Sequence, residues 1–121
     1  MRLQRNPLWL FLLLLITVAA CAKPGAETIE QQAWKKIRNG ALLVDVRTRK
    51  EYEAGHIDGA LLIPYDQIER RIAEFGDDKH RAIVVYCRSG RRAGVAEQTL
   101  RKFGFTNVLN AGGYEALKAA K

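Results

Sequence analysis

Two short apolar runs end abruptly on a reactive group: Ala41-Leu-Leu-Val stops at Asp45, and Ala82-Ile-Val-Val-Tyr stops at Cys87. A run of this length bounded by turn chemistry predicts a strand covered on both faces, whose carboxyl end reaches a cleft. Helical spacing alternates with these runs. Thr28-Ile-Glu-Gln31 has the form of a capping box and opens a helix to Arg38, with Ile29, Ala33 and Ile37 on one face and Asn39-Gly40 ending it. Thr48-Arg-Lys-Glu51 is a second capping box, opening a short helix that Gly55 closes. Ala60–Ile63 reads as a strand stopped by Pro64, Tyr65–Phe75 as a helix with Ile68, Ile72 and Phe75 inward, and Asp77–Arg81 as a polar loop. Ala93–Phe103 is again helical in period and is capped by Gly104. Thr106–Leu109 makes a last short strand, and Gly112-Gly113 leads into a terminal helix to Ala120. This alternation predicts an α/β fold: a small, mostly parallel sheet flanked by helices on both faces, with right-handed crossovers and a site at the strands' carboxyl ends.

The first twenty-one residues stand apart from this pattern. Arg2 and Arg5 make a basic start, Leu8–Ala20 is apolar apart from Thr17 and includes Trp9, and the small residues Ala19 and Ala20 precede Cys21. That is the form of an export signal, and it is short of the roughly 20 apolar residues a bilayer span needs. Val18-Ala19-Ala20-Cys21 resembles the lipobox of bacterial lipoproteins, which implies lipidation of Cys21 and a periplasmic, membrane-anchored protein; a plain cleaved secretory signal fits the same residues. Residues 22–27, with Pro24 and Gly25, then form a tether, and 28–121 form one domain of about 95 residues, enough for a single core.

Charge and cysteine count narrow the chemistry. The chain carries a net charge of +7, and +5 remains once Arg2 and Arg5 are set aside. The exported character and the lack of interleaved aromatic and basic residues disfavour nucleic acid and favour anionic lipid or a small anionic substrate. With Cys21 lipidated, Cys87 is the one remaining thiol in an oxidising compartment where structural cysteines come in pairs. Its place between a strand and a helix N-terminus, followed by Arg88, Gly90, Arg91 and Arg92, predicts an acidic, nucleophilic thiol in an anion-binding loop.

Four segments taken in order resemble the single-domain rhodaneses, thiosulfate sulfurtransferases, and among them the small exported phage-shock type. They are Asp45-Val-Arg47, the stretch from Glu51 through Gly55-His56-Ile57 and Gly59 to Ile63-Pro64, the loop Cys87-Arg-Ser-Gly90-Arg-Arg92, and Asn110-Ala-Gly112-Gly113. The resemblance implies a rhodanese-like fold with Cys87 as nucleophile. It also implies transfer of sulfur from thiosulfate to a cyanide or thiol acceptor through a Cys87 persulfide, with no metal or organic cofactor. It places Arg88, Ser89, Gly90, Arg91 and Arg92 around the substrate and gives Asp45, Arg47 and His56 supporting roles through hydrogen bonds. Read from residue chemistry, Arg88 and Arg92 suit oxyanions through their forked donors and Gly90 permits a close backbone turn. Arg91 is either solvated or a substrate ligand, and Ser89 either faces the bound sulfur or satisfies a loop carbonyl.

Two other functions compete. Cysteine-dependent phosphatases and arsenate reductases also hold a thiolate in a nest of loop amides, but their arginine follows the cysteine after five intervening residues; here that position is Ala93 and the arginine is Arg92. A non-catalytic binding module of the same fold is the second, and the presence of Cys87 weighs against it.

Overall fold

A computed structural model describes residues 25–121. Residues 1–21, read above as an export signal ending in a lipobox cysteine, and the first half of the expected tether lie outside the described residues, and no helix among those described is long and apolar enough to cross a membrane. Strands β1 (Leu42–Asp45), β2 (Leu61–Leu62), β3 (Ile83–Cys87) and β4 (Val108–Gly113) form one sheet in the order β2-β1-β3-β4. Each neighbouring pair is parallel. Helices α1 (Ile29–Arg38), α2 (Arg49–Ala54), α3 (Arg91–Lys102) and α4 (Tyr114–Ala119) alternate with them except between β2 and β3, where no α-helix intervenes.

The alternation of side chains along β3 divides the core into two layers. Ile83, Val85 and Cys87 face α3 through Ala93, Ala96 and Leu100, with Ile68, Phe75 and Phe105 filling the same layer. Val84 and Tyr86 face the other way onto Ala33 and Trp34 of α1 and Leu117 of α4. All five β3 residues are buried, as expected for a strand with both faces covered. Trp34 is a core residue whose indole N–H donates to the Leu117 carbonyl at 2.8 Å, so α1 and α4 are tied by a buried hydrogen bond as well as by apolar contact.

Both capping boxes form: Thr28 with Gln31 at the head of α1, and Thr48 with Glu51 at the head of α2. Ile29, expected to face inward, is 39% exposed, because the inward stripe of α1 is set by Ala33, Trp34 and the half-buried Ile37 instead. The stretch 65–75 is not one helix but two 3-10 turns, Tyr65–Gln67 and Ile72–Phe75. Ile68 and Phe75 still reach the core, since short 3-10 segments serve as connectors and present the same residues inward. Helix α3 begins at Arg91, two residues before the expected start, because Gly90 at φ +93° caps it in a left-handed conformation.

The last strand is also longer than its apolar pattern suggests. Val85 pairs with Asn110 but Cys87 pairs with Gly113, so β4 carries one extra residue beside the end of β3. A bulge of this kind re-aims the chain next to a site, and Gly112 at φ +81° absorbs the turn.

Candidate active site

The site is built where β3 runs out. Cys87 is the last strand residue, has no exposed surface, and is followed by a turn that enters α3 at Gly90. The Gly90 backbone N–H donates to Cys87 Sγ at 2.9 Å. Burial pushes the thiol up, but the backbone N–H groups of Ala93, Ser89, Gly90 and Arg92 together outweigh it and leave Cys87 below the ordinary thiol range. Unpaired amides at a helix start carry partial positive charge, which is the physical source of that preference for thiolate.

Two glycines and an asparagine of β4 hold this turn in place. Asn110 Nδ2 donates to the Gly90 carbonyl at 2.9 Å, while its Oδ1 accepts the Gly112 N–H at 2.9 Å. One side chain therefore ties the β4 bulge to the head of α3. Gly113 lies so close to the loop that a Cβ there would sit 2.5 Å from the Arg88 carbonyl oxygen. Asn110 is a structural residue of the site that local pattern alone does not reveal; its one sequence signal is the motif it shares with the two glycines.

The arginines divide into two kinds. Arg88 and Arg91 are exposed, as is Ser89. Arg92, in the first turn of α3, donates from both terminal nitrogens to Glu51, at 2.7 and 2.9 Å. A cation in a helix's first turn opposes the macrodipole, and this pair offsets that cost. Glu51 is a site residue that sequence reading assigns to a helix cap alone. Its Oε1 accepts from the Thr48 backbone N–H at 3.2 Å as well as from Arg92. Arg92 holds its carboxyl down at about 2, against partial burial.

Asp45 and Arg47 form a buried pair at the end of β1. Arg47 Nη2 donates to Asp45 Oδ2 at 2.7 Å and to the Gly55 carbonyl at 2.7 Å, and the Arg47 backbone N–H donates to Asp45 Oδ1 at 2.9 Å. Its guanidinium lies 4.5 Å from the Tyr114 ring centre. The pair thus fastens the close of α2 to the strand ends. His56 is exposed, stacks on Tyr52 at 3.6 Å between ring centres, and donates from Nδ1 to the Tyr52 carbonyl at 2.8 Å. It lines a depression with Ile57, Asp58 and Lys118 and does not line the neighbouring cleft beside the loop, which shares only Gly55 and Tyr114 with that depression. That cleft, about 330 Å³, has Arg88, Glu51, Arg47 and Tyr114 in its walls. Among the described residues no group of His, Cys, Asp and Glu has the arrangement of a metal site.

The rhodanese-like domain family matches residues 30–120. The thiosulfate sulfurtransferase PspE of Escherichia coli is 38% identical over 78 residues, covering 64% of this chain and 75% of that protein. The tRNA uridine(34) hydroxylase of Sodalis glossinidius is 40% identical over 77 residues, 60% of this chain but 22% of that longer protein. Among solved structures, the human single-domain sulfurtransferase TSTD1 superposes with a TM-score of 0.65 at 31% identity, over 74% of this chain and 92% of that one. With its parallel sheet, its strand-end cysteine and a match over nearly the whole described region, the chain belongs to the rhodanese-like family.

Proposed function

We propose that this chain is a sulfurtransferase that accepts sulfane sulfur from thiosulfate, or from a persulfide donor, onto Cys87 and passes it to cyanide or a thiol. The observation that carries this reading is the Cys87 sulfur at the head of α3, receiving the Gly90 N–H at 2.9 Å and held below the ordinary thiol range by loop amides. The Cys87 thiolate attacks the outer sulfur of thiosulfate; a new S–S bond forms, the bond to the sulfonate sulfur breaks, and its electron pair leaves with sulfite. The loop amides that favoured the thiolate then face the anionic persulfide. Cyanide attacks the outer sulfur, the S–S bond returns its pair to Cys87, and thiocyanate leaves. Arg88, Ser89, Gly90, Arg91 and Arg92 line the approach, with Arg88 and Arg91 exposed to meet an anion and Arg92 bracing the loop through Glu51. The similarity to a protein named thiosulfate sulfurtransferase supports the choice of donor.

The test is formation of thiocyanate from thiosulfate and cyanide. Cys87→Ala is expected to abolish it while circular dichroism stays unchanged; hydrolysis of a phosphotyrosine analogue without any thiocyanate would replace this reading with the phosphatase one. We place the domain outside the cytoplasm on a Cys21 lipid anchor, on the strength of the sequence from Arg2 to Cys21. Cys21→Ser should move the chain from the membrane pellet to the soluble periplasmic fraction, and an unchanged distribution would remove the anchor.

A further inference from the structure

The cleft beside the Cys87 loop carries two charged side chains that the fold leaves unused. Its charged walls are Arg47, Glu51, Arg88 and Glu115. Arg47 is taken up by Asp45, and Glu51 by Arg92. Arg88 and Glu115 form no ion pair, with each other or with another described residue, and both are exposed. Their backbones are nonetheless well placed. Arg88 directly follows the nucleophile, and its carbonyl lies against Gly113, two residues before Glu115. The Tyr114 ring, against the Arg47 guanidinium, lines the same cleft and gives it an apolar surface.

We propose that this cleft binds the sulfur acceptor, and that it selects small thiols bearing both a carboxylate and an ammonium group, the carboxylate meeting Arg88 and the ammonium meeting Glu115. The proposal rests on the sulfur-transfer reading above and names its acceptor class. A purely anionic thiol gains Arg88 but faces the Glu115 carboxylate, and a simple aminothiol gains Glu115 but faces Arg88. A neutral thiol leaves both charges to water, so discrimination comes from repulsion as much as from attraction. A cleft of about 330 Å³ is ample for a molecule the size of an amino acid. In the transfer step the acceptor sulfur attacks the outer sulfur of the persulfide. The Cys87 S–S bond breaks, its electron pair returns to Cys87 as thiolate, and the acceptor's proton ends on the new persulfide or in solvent.

The experiment titrates the isotope-labelled chain with S-methyl-L-cysteine, which has both charges and cannot accept sulfur. N-acetyl-S-methyl-L-cysteine, lacking the ammonium, and S-methylcysteamine, lacking the carboxylate, are the comparisons. The amide resonances of Arg88, Gly55 and Glu115 should shift saturably with the first, and either comparison should bind about tenfold more weakly, the loss of one charge-assisted hydrogen bond. Glu115→Gln should erase the preference over the acetylated compound, and Arg88→Gln the preference over S-methylcysteamine. Equal affinity for all three, or shifts outside the cleft, would overturn the proposal. No sulfur donor is involved, so the two readings fail separately: thiocyanate formation without this selectivity defeats the cleft assignment alone. Selective binding without sulfur transfer keeps the ligand class and defeats the reaction.

Discussion

Arg92, beside the Cys87 loop, clasps Glu51, 41 residues earlier at the head of α2, through two hydrogen bonds of 2.7 and 2.9 Å. The contact joins the head of α2 to the first turn of α3, which the Cys87 turn enters. Glu51→Gln keeps the shape and removes the charge. It should lower stability by about 1–2 kcal/mol and reduce sulfur-transfer kcat/KM by roughly tenfold or more as the loop loses its brace. The pH dependence has a definite sign. A carboxyl held at about 2 in the fold stabilises it in full above its unfolded value of about 4.3 and loses that contribution as pH falls toward 2. The gap in urea midpoint between the parent chain and Glu51→Gln should therefore be constant from pH 7 to 5 and close below that; a gap that widens in acid would contradict the pairing.

Gly113 and Gly112 are adjacent but serve different ends. A methyl group at Gly113 meets the Arg88 carbonyl at 2.5 Å, whereas at Gly112 nothing lies within 4 Å and the difficulty is the φ of +81°. Gly113→Ala should displace the Cys87–Arg88 backbone and cost about 1–3 kcal/mol with a steep loss of activity. Gly112→Ala should cost about 1–2 kcal/mol in backbone strain with a smaller effect on turnover. Paired measurements of urea midpoint and thiocyanate production separate the two; equal losses of activity would mean that the Gly113 contact does not position the loop.

The Cys87 thiol should titrate below the free-thiol value of about 8.5. Thiolate absorbance near 240 nm, taken as the difference between the parent chain and Cys87→Ser, reads this without requiring reagent access to a buried sulfur. Its midpoint should move up to the ordinary value in urea. Since the folded value is the lower one, the thiolate's contribution to stability is present above the unfolded value and lost as pH falls through the folded one. A folded midpoint above the unfolded one would mean that burial outweighs the amides.

Removing Asp45 leaves the Arg47 guanidinium buried without its charge partner. Asp45→Ala should cost about 3–5 kcal/mol, more than Glu51→Gln, because the Asp45–Arg47 pair is nearly enclosed and also secures Gly55. Chemical denaturation gives the comparison directly, and a smaller loss for Asp45→Ala would mean that water reaches the pair.

Features complete within a few residues are legible in the sequence. The capping boxes at Thr28 and Thr48, the buried strand ending in Cys87 and the parallel alternation are of this kind, since each is dictated by local propensity or period. What escapes is the second use of residues already assigned. Glu51 satisfies its own helix cap and so gives no sign of Arg92. Asn110 lies just past the apolar run that ends at Leu109, marked by the motif it shares with Gly112 and Gly113, and shows its purpose once the β4 bulge brings it to Gly90. The 65–75 stretch misleads for another reason: apolar spacing at 68, 72 and 75 suits both a helix and a pair of 3-10 turns. Tertiary contacts, invisible to periodicity, choose between them.

A persulfide on Cys87 is read most directly from the intact mass of the chain before and after thiosulfate, and again after cyanide. Sulfur transfer through Cys87 predicts a gain of one sulfur atom that cyanide removes and that Cys87→Ala never acquires. No gain from thiosulfate or from a persulfide donor, or a gain that persists in Cys87→Ala, would contradict it.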